Sequence, residues 1–138
     1  MEDYFDLHME EDQIRSISSI GLAHLGDAVY ELLVRSWLCA HGRATGKGLH
    51  RAAVELVRAP AQAARAERIL PMLTGEELAV FKRGRNAHVH TVPHSASRSD
   101  YLKATALECL LGYLYLHGRR ERINALFAAM MKEEEHAT

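Results

Sequence analysis

Long apolar runs, paired cysteines and alternating strand patterns are all missing from this sequence of 138 residues. No segment approaches the roughly eighteen uninterrupted apolar residues of a membrane-spanning helix. The two cysteines, Cys39 and Cys109, lie far apart in apolar helical patterns, so we expect small buried residues and no disulfide or thiolate metal site. The first residues, MEDYFDLHMEED, are acidic where a secretory signal would be basic and then apolar. These absences predict a cytoplasmic protein without a membrane segment.

Helical periodicity is what the sequence does have. Apolar residues recur at spacings of three and four, which predicts an all-α fold, and at 48% hydrophobic the chain can form one domain over residues 1–138. Cap residues, glycines and prolines give the expected boundaries, including a capping-box spacing between Thr74 and Glu77. The predicted helices run from Ser18 or Ser19 to Ala40, from 49 to 58, from Pro60 to about 70, from Thr74 into KRGRNA, up to His117 after a loop over 87–99, and from Arg119 onward.

Charge is unevenly distributed, although the net charge is only -1. Residues 1–12 contain six acidic and no basic side chains, whereas residues 13–131 contain sixteen Lys and Arg against nine Asp and Glu. A basic body is typical of a protein that binds a polyanion, because Lys and Arg make the contacts to phosphate. A solvated helical surface would give the same count, so charge alone leaves both interpretations open.

Two acids interrupt the first apolar helix, GLAHLGDAVYELLV. Asp27 and Glu31 lie one turn apart on the same face. Glu31 precedes Arg35 by four residues, so an ordinary ion pair along the helix accounts for it. The core-facing stripe of this helix is predicted from apolar residues at spacings of three and four: Leu22, Leu25, Val29, Leu32 and Leu33.

A third acid, Glu108, lies in an even more apolar helix, KATALECLLGYLYL. Its carboxylate is expected to be partly desolvated and therefore to need a cation or hydrogen-bond donors. Gly26 adjoins Asp27, and Gly112 lies one turn beyond Glu108, so the two helix backbones can approach closely there. Crossing helices would bring Asp27 and Glu108 to one hard cation, Mg²⁺ or Mn²⁺. A buried Glu108 tied to Lys or Arg is the structural alternative.

Three motifs together resemble a known family. LGDAVYEL and ATALECLLGYLYL resemble the two signature helices of the ribonuclease III catalytic domain, and FKRGRNAH between them resembles its short, single-domain branch, Mini-ribonuclease III. The resemblance covers residues 20–128. It implies an all-helical homodimer that cuts double-stranded RNA with Mg²⁺, leaving 5′-phosphate and 3′-hydroxyl ends. It also implies a role in maturing the ends of the large-subunit (23S) ribosomal RNA precursor, aided by a ribosomal protein of the large subunit.

The active-site acids of the family carry over only in part. Full-length ribonuclease III enzymes usually have four, and the matching positions here are Ala23, Asp27, Thr105 and Glu108. Asp27 and Glu108 therefore remain as the predicted metal ligands and catalytic residues, a reduction that the Mini-ribonuclease III branch shares. Waters or substrate phosphates must then fill more of the cation's shell. Thr105 is predicted either to orient a water on the cation or to bond to its own helix backbone.

Basic side chains of the catalytic domain are expected to hold the duplex, because we expect no double-stranded RNA-binding domain beside it. A-form RNA presents phosphates and 2′-hydroxyls across a shallow minor groove, so we expect recognition by shape. For the main patch, a simple preference of basic residues for a helix C-terminus is the alternative interpretation. The predicted RNA-binding residues are a main patch of Lys82, Arg83, Arg85 and Asn86, a second group of Lys47, His50 and Arg51, and Lys103 near Glu108.

Other functions match the sequence less well. His88, His90 and His94 suggest zinc, but they lack an acid or thiolate partner at ligand spacing. No serine or cysteine has the setting of a catalytic nucleophile. An all-helical His-Asp phosphohydrolase acting on nucleotides needs clustered His and Asp ligands, and no His-Asp pair occurs in the sequence. A non-catalytic RNA-binding or ribosome-assembly module on the same fold remains the main alternative.

Overall fold

The structure is a computed structural model that describes residues 1–41, 46–87, 97–132 and 134. No strand occurs in this described part of the chain, which confirms the predicted all-α fold. None of the described helices is both long enough and apolar enough to span a bilayer. The elements in chain order are α1 (Glu11–Arg15), α2 (Ser19–Ala40), α3 (Gly46–Val57), α4 (Ala59–Ile69), a 3-10 turn (Leu70–Met72), α5 (Gly75–Arg85), α6 (Arg98–Leu116) and α7 (Arg120–Met130).

Local capping explains most of the helix boundaries. The Ser18 hydroxyl accepts a hydrogen bond from the Gly21 amide at 3.0 Å, so the predicted start of α2 is confirmed. The capping box of α5 is also confirmed, with the Thr74 amide 2.9 Å from Glu77 Oε1. The short helix α1 was not predicted, and α3 begins three residues earlier than expected. Ser97 caps α6, so this helix begins inside the predicted 87–99 loop, of which residues 88–96 lie outside the described part.

Helix α6 forms the centre of the molecule. It packs against α2, α4, α5 and α7, while α3 packs against α2 and α4. Both of its alanines, its cysteine and four of its six leucines are buried, which follows from the dense apolar run in its sequence. Because two of its neighbours, α2 and α5, carry predicted site residues, α6 determines how those residues are arranged.

The predicted core stripe of α2 is wrong in part. Leu22 is buried as expected, but Leu25, Val29 and Leu33 are only half-buried, and Leu32 is 58% exposed. The face that is buried is rotated about the helix axis relative to the predicted stripe. It consists of Leu22, Ala23, Gly26, Tyr30, Val34 and Leu38. Both faces are apolar, and the one with glycine and alanine is buried because it allows α6 to approach closely. The leucine face is left pointing outward.

The two cysteines differ in environment. Cys109 is buried on α6 as predicted, whereas Cys39 is exposed, so the expectation of a second buried thiol is wrong. Cys39 follows Leu38, which is only 1% exposed. Neighbouring residues of an α-helix point about 100° apart, so burial of Leu38 turns Cys39 toward the surface.

Candidate metal centre and nucleic-acid interface

The crossing of α2 and α6 is close enough to require glycine on both helices. A methyl group at Gly26 would overlap the backbone carbonyl of Glu108, and one at Gly112 would overlap the backbone carbonyl of Leu22. The prediction that these glycines allow a close approach is therefore confirmed. The close approach fixes the backbone of Asp27 relative to that of Glu108, since each lies within one helical turn of the contact.

Asp27 and Glu108 are brought together at this crossing. Asp27 is exposed and Glu108 is half-buried. Burial is the largest cause that raises the pKa of Glu108, and the Asp27 carboxyl adds to it through a hydrogen bond and charge repulsion, so that the pKa is about 8. Glu31 contributes a smaller repulsion. Near neutral pH the Glu108 carboxyl therefore holds a proton, which a divalent cation would have to displace.

Glu31 has the ordinary partner that its spacing suggests. Its carboxylate lies 3.4 Å from the Arg35 guanidinium, four residues along α2. An exposed pair of this kind contributes little to stability. Glu31 thus differs from Glu108, which no Lys or Arg of the described residues neutralises.

A polar layer made by side chains of α2 and α4 lies beneath the crossing. Buried Gln62 of α4 donates through Nε2 to the Val57 carbonyl at 2.8 Å and lies 3.5 Å from Glu108 Oε2. The Tyr30 hydroxyl donates to the Leu56 carbonyl at 2.8 Å, and burial raises the pKa of Tyr30 to about 12. These bonds satisfy carbonyls at the end of α3. Sequence reasoning missed Gln62, and its only signal was a lone amide in an alanine-rich helix.

The donor set at the crossing fits a small, hard cation. Two carboxylates supply oxygen ligands, and among the residues that the structure describes no Lys or Arg forms an ion pair with Glu108, which was the structural alternative. Among the described residues no group of three or more His, Cys, Asp or Glu is placed to hold a metal ion. Mg²⁺ suits such a sparse site, because it is commonly held by one or two carboxylates and keeps several waters.

Thr105 makes the backbone bond that was one of its two predicted roles. Its hydroxyl donates to the Tyr101 carbonyl of the same helix at 2.9 Å, and the residue is 6% exposed. The hydroxyl proton is therefore committed to α6. Orientation of a water by Thr105 stays a prediction, and it would depend on the remaining acceptor capacity of the oxygen.

The main basic patch lies at the last turn of α5. Lys82, Arg83 and Asn86 are exposed, and Arg85 is half-buried. Gly84 packs against Cys109 and Ala106 of α6; a Cβ at Gly84 would lie only 2.6 Å from the Cys109 Cβ. Because Cys109 follows Glu108 in the chain, this contact holds the basic turn at the same level of α6 as the carboxylate pair.

The remaining predicted RNA-binding residues differ from one another in exposure and in ion pairing. His50 and Arg51 are exposed on α3. The side chain of Lys47 and the whole of His88, His90 and His94 lie outside the described residues. Lys103 is half-buried, and its ammonium lies 2.8 Å from Glu67 Oε1, so its charge is already paired within the protein.

Comparison with known proteins gives consistent matches over most of the chain. The profile described as Ribonuclease III domain matches residues 21–119. A protein named Mini-ribonuclease 3 from Symbiobacterium thermophilum is 43% identical over 114 residues, covering 83% of this chain and 88% of the relative. One of the same name from Brevibacillus brevis is 49% identical over 102 residues, covering 74% and 76%. A crystal structure of a Fusobacterium nucleatum protein superposes with a TM-score of 0.81 at 32% identity, covering 88% of this chain and 98% of that one.

Proposed function

Because the chain belongs to the ribonuclease III family, in its Mini-ribonuclease III branch, we propose that Asp27 and Glu108 hold Mg²⁺ for hydrolysis of double-stranded RNA. Membership makes the chain an endoribonuclease of this family. The observation that carries the proposal is the uncompensated carboxylate pair at the α2–α6 crossing, where Asp27 and burial together raise the pKa of Glu108. Mn²⁺ can substitute for Mg²⁺, since both are hard cations that take oxygen ligands.

The two carboxylates have different tasks in this site. When bound, the ion supplies Lewis acidity at the phosphodiester and makes water a better nucleophile. Asp27 is exposed, so its carboxylate oxygens are accessible to RNA. Glu108 is half-buried where α6 packs against the neighbouring helices. Glu108 has to release its proton before it can act as a ligand. Hydrolysis in this arrangement leaves 5′-phosphate and 3′-hydroxyl ends.

The basic turn of α5 is the proposed contact with the RNA backbone. Lys82, Arg83 and Asn86 are exposed and can reach phosphates and 2′-hydroxyls. Exposed His50 and Arg51 extend the interface along α3. Lys103 is a weaker candidate, because binding phosphate would require it to leave Glu67.

The outward face of α2, formed by Val29, Leu32 and Leu33, supports the proposal of a homodimer. This apolar face lines a groove with Phe5 and Tyr115. Exposed leucine on a helix that is otherwise well packed is typical of an interface. In the proposed dimer α2 lies near the twofold axis and each protomer contributes one active site.

The proposed substrate is the precursor of large-subunit (23S) ribosomal RNA in the cytoplasm, with a ribosomal protein of the large subunit assisting. The test is incubation of the purified protein with this structured precursor, with and without Mg²⁺, beside Asp27→Asn and Glu108→Gln. We expect Mg²⁺-dependent cutting that both variants lose. Cutting without metal, or variants as active as the parent, would overturn the mechanism. Retained biological function in Asp27→Asn together with its loss in Arg83→Ala or Arg85→Ala would instead indicate a non-catalytic RNA-binding module.

A further inference from the structure

Gln62 is the one described neutral polar side chain that reaches Glu108 from another helix. It is only 4% exposed, and its Nε2 donates to the Val57 carbonyl at 2.8 Å. A backbone carbonyl only accepts hydrogen bonds, so this contact fixes which end of the amide is nitrogen. The same Nε2 lies 3.5 Å from Glu108 Oε2. Gln62 is therefore oriented by the end of α3 and points its donor at the carboxylate.

The other end of this amide lacks a partner. Gln62 Oε1 is buried and accepts no hydrogen bond from any described residue. A buried carbonyl oxygen without a donor is costly, and such groups in native proteins commonly mark an ion, a water or a functional role. The cost is borne beside Glu108, which no Lys or Arg of the described residues neutralises. We therefore attribute the presence of Gln62 to the contacts of its Nε2 and not to packing alone.

We propose that Gln62 is a positioning residue of the cation site, with Nε2 holding the Glu108 carboxylate in place and the Val57 carbonyl fixing the amide. This inference rests on the proposed function, because it presupposes a cation at Asp27 and Glu108. It also explains how a site with two carboxylates instead of four orders its ion. A neutral amide supplies a donor to Glu108 without adding a negative charge beside Asp27.

The neutrality of Gln62 matters for this role. Its Nε2 is a donor that faces the Glu108 carboxylate at 3.5 Å. An ionised acid at this depth would offer only acceptors and would repel that carboxylate.

The test compares cation binding by Gln62→Met with binding by the parent, measured by calorimetric titration of Mg²⁺ or Mn²⁺ without RNA. Methionine has a similar volume but no strong donor or acceptor. We expect the dissociation constant to rise about tenfold or more, as for other residues that orient a metal's first ligands. Gln62→Glu replaces the Nε2 donor by a third acid beside Glu108, so it is not expected to restore the affinity. Gln13→Met, which changes an exposed glutamine of α1, is the matched control and should bind as the parent does.

Further measurements separate positioning from folding. Thermal unfolding in chelator reports the metal-free stability of each variant, and the rise in Tm on adding Mg²⁺ reports binding. We expect Gln62→Met to show a smaller Mg²⁺-dependent rise. We also expect its cleavage rate to recover at high Mg²⁺ with an unchanged KM for RNA. A lower metal-free Tm with an unchanged dissociation constant would overturn the proposal, because Gln62 would then be only structural.

The outcome also distinguishes this inference from the function on which it rests. If the parent binds no cation, or if Asp27→Asn binds as well as the parent, the proposed metal centre itself is wrong. If the parent binds, Asp27→Asn does not, and Gln62→Met binds like the parent, only the inference is overturned.

Discussion

Two glutamates on the interior faces of their helices, Glu77 of α5 and Glu108 of α6, have opposite surroundings. Arg122 of α7 donates to both carboxylate oxygens of Glu77 at 2.8 Å, and the Thr74 amide adds a bond at 2.9 Å. These bonds, above all those from Arg122, hold the pKa of Glu77 below its usual range although the residue is only 3% exposed. Glu77 is thus an ionised, satisfied structural group that ties α5 to α7.

Glu108 has the reverse balance. Its neighbours are the acid Asp27 and the neutral amide of Gln62, and burial with Asp27 raises its pKa to about 8. Burial of an acid therefore does not by itself indicate function. What marks Glu108 is burial beside a second acid without a positive partner among the described residues.

The largest difference between the two glutamates is expected in catalysis. Glu108→Gln should lower the single-turnover rate of RNA cleavage at least about a thousandfold, because loss of a ligand removes several kcal/mol of transition-state stabilisation. Glu77→Gln, assayed well below its unfolding temperature, should stay within about threefold of the parent. Equal losses in both variants would erase the distinction.

Forcing α2 and α6 apart at their crossing should remove the burial that raises the pKa of Glu108. Gly26→Ala places a methyl group against the Glu108 carbonyl, so we expect a loss of about 3 kcal/mol in the free energy of unfolding, the upper end for overpacking. The control is Gly75→Ala at the start of α5, where an added methyl group meets nothing within 4 Å. It should change stability by less than about 0.5 kcal/mol in urea denaturation. Matching effects would mean that the crossing is not tightly packed.

Stability should respond to Glu77 and Glu108 in opposite ways. Glu77→Gln weakens charged hydrogen bonds to Arg122, so we expect a loss of about 2 kcal/mol in the free energy of unfolding. Glu108→Gln removes the need to take up a proton on folding above pH 4.5, and in chelator it should be at least as stable as the parent. Urea denaturation of both variants without metal makes the comparison. A Glu108→Gln variant less stable than Glu77→Gln would contradict these roles.

Glu108 and Glu77 should make the metal-free stability depend on pH in opposite directions. The pKa of Glu108 is about 8 in the folded chain against an ordinary 4.5, so the folded state holds a proton that the unfolded state has lost. Its contribution is full below pH 4.5 and disappears as the pH rises toward 8. Glu77, with a lowered pKa, stabilises above its ordinary pKa and loses this effect as the pH falls through the folded value.

Each slope is at most about 1.4 kcal/mol per pH unit for one proton. Urea denaturation in chelator from pH 4 to 9 measures both. Glu108→Gln should flatten the fall in stability toward pH 8, and Glu77→Gln should flatten the acid side. An unchanged profile in Glu108→Gln would show that its proton is not retained in the folded state.

Much of the site can be predicted from short stretches of sequence, because it depends on interactions between residues close together in the chain. Asp27 and Glu108 stand out as acids in apolar helices, and the Ser18 and Thr74 caps are short-range hydrogen-bonding patterns. The exposure of Leu32 does not follow from sequence, because both faces of α2 are apolar and only the packing of α6 at Gly26 selects one. Gln62 was missed for a related reason, since its partners lie on the end of α3 and on α6.

The most direct test of the central claim is calorimetric titration of Mg²⁺ into the parent, Glu108→Gln and Glu77→Gln at one pH without RNA. The account predicts that Glu108→Gln raises the dissociation constant at least about tenfold, because it removes a charged ligand. Glu77→Gln should bind within about twofold of the parent, since its carboxylate is occupied by Arg122. Binding by Glu108→Gln that equals the parent, or loss of binding in Glu77→Gln alone, would contradict a metal centre at the α2–α6 crossing.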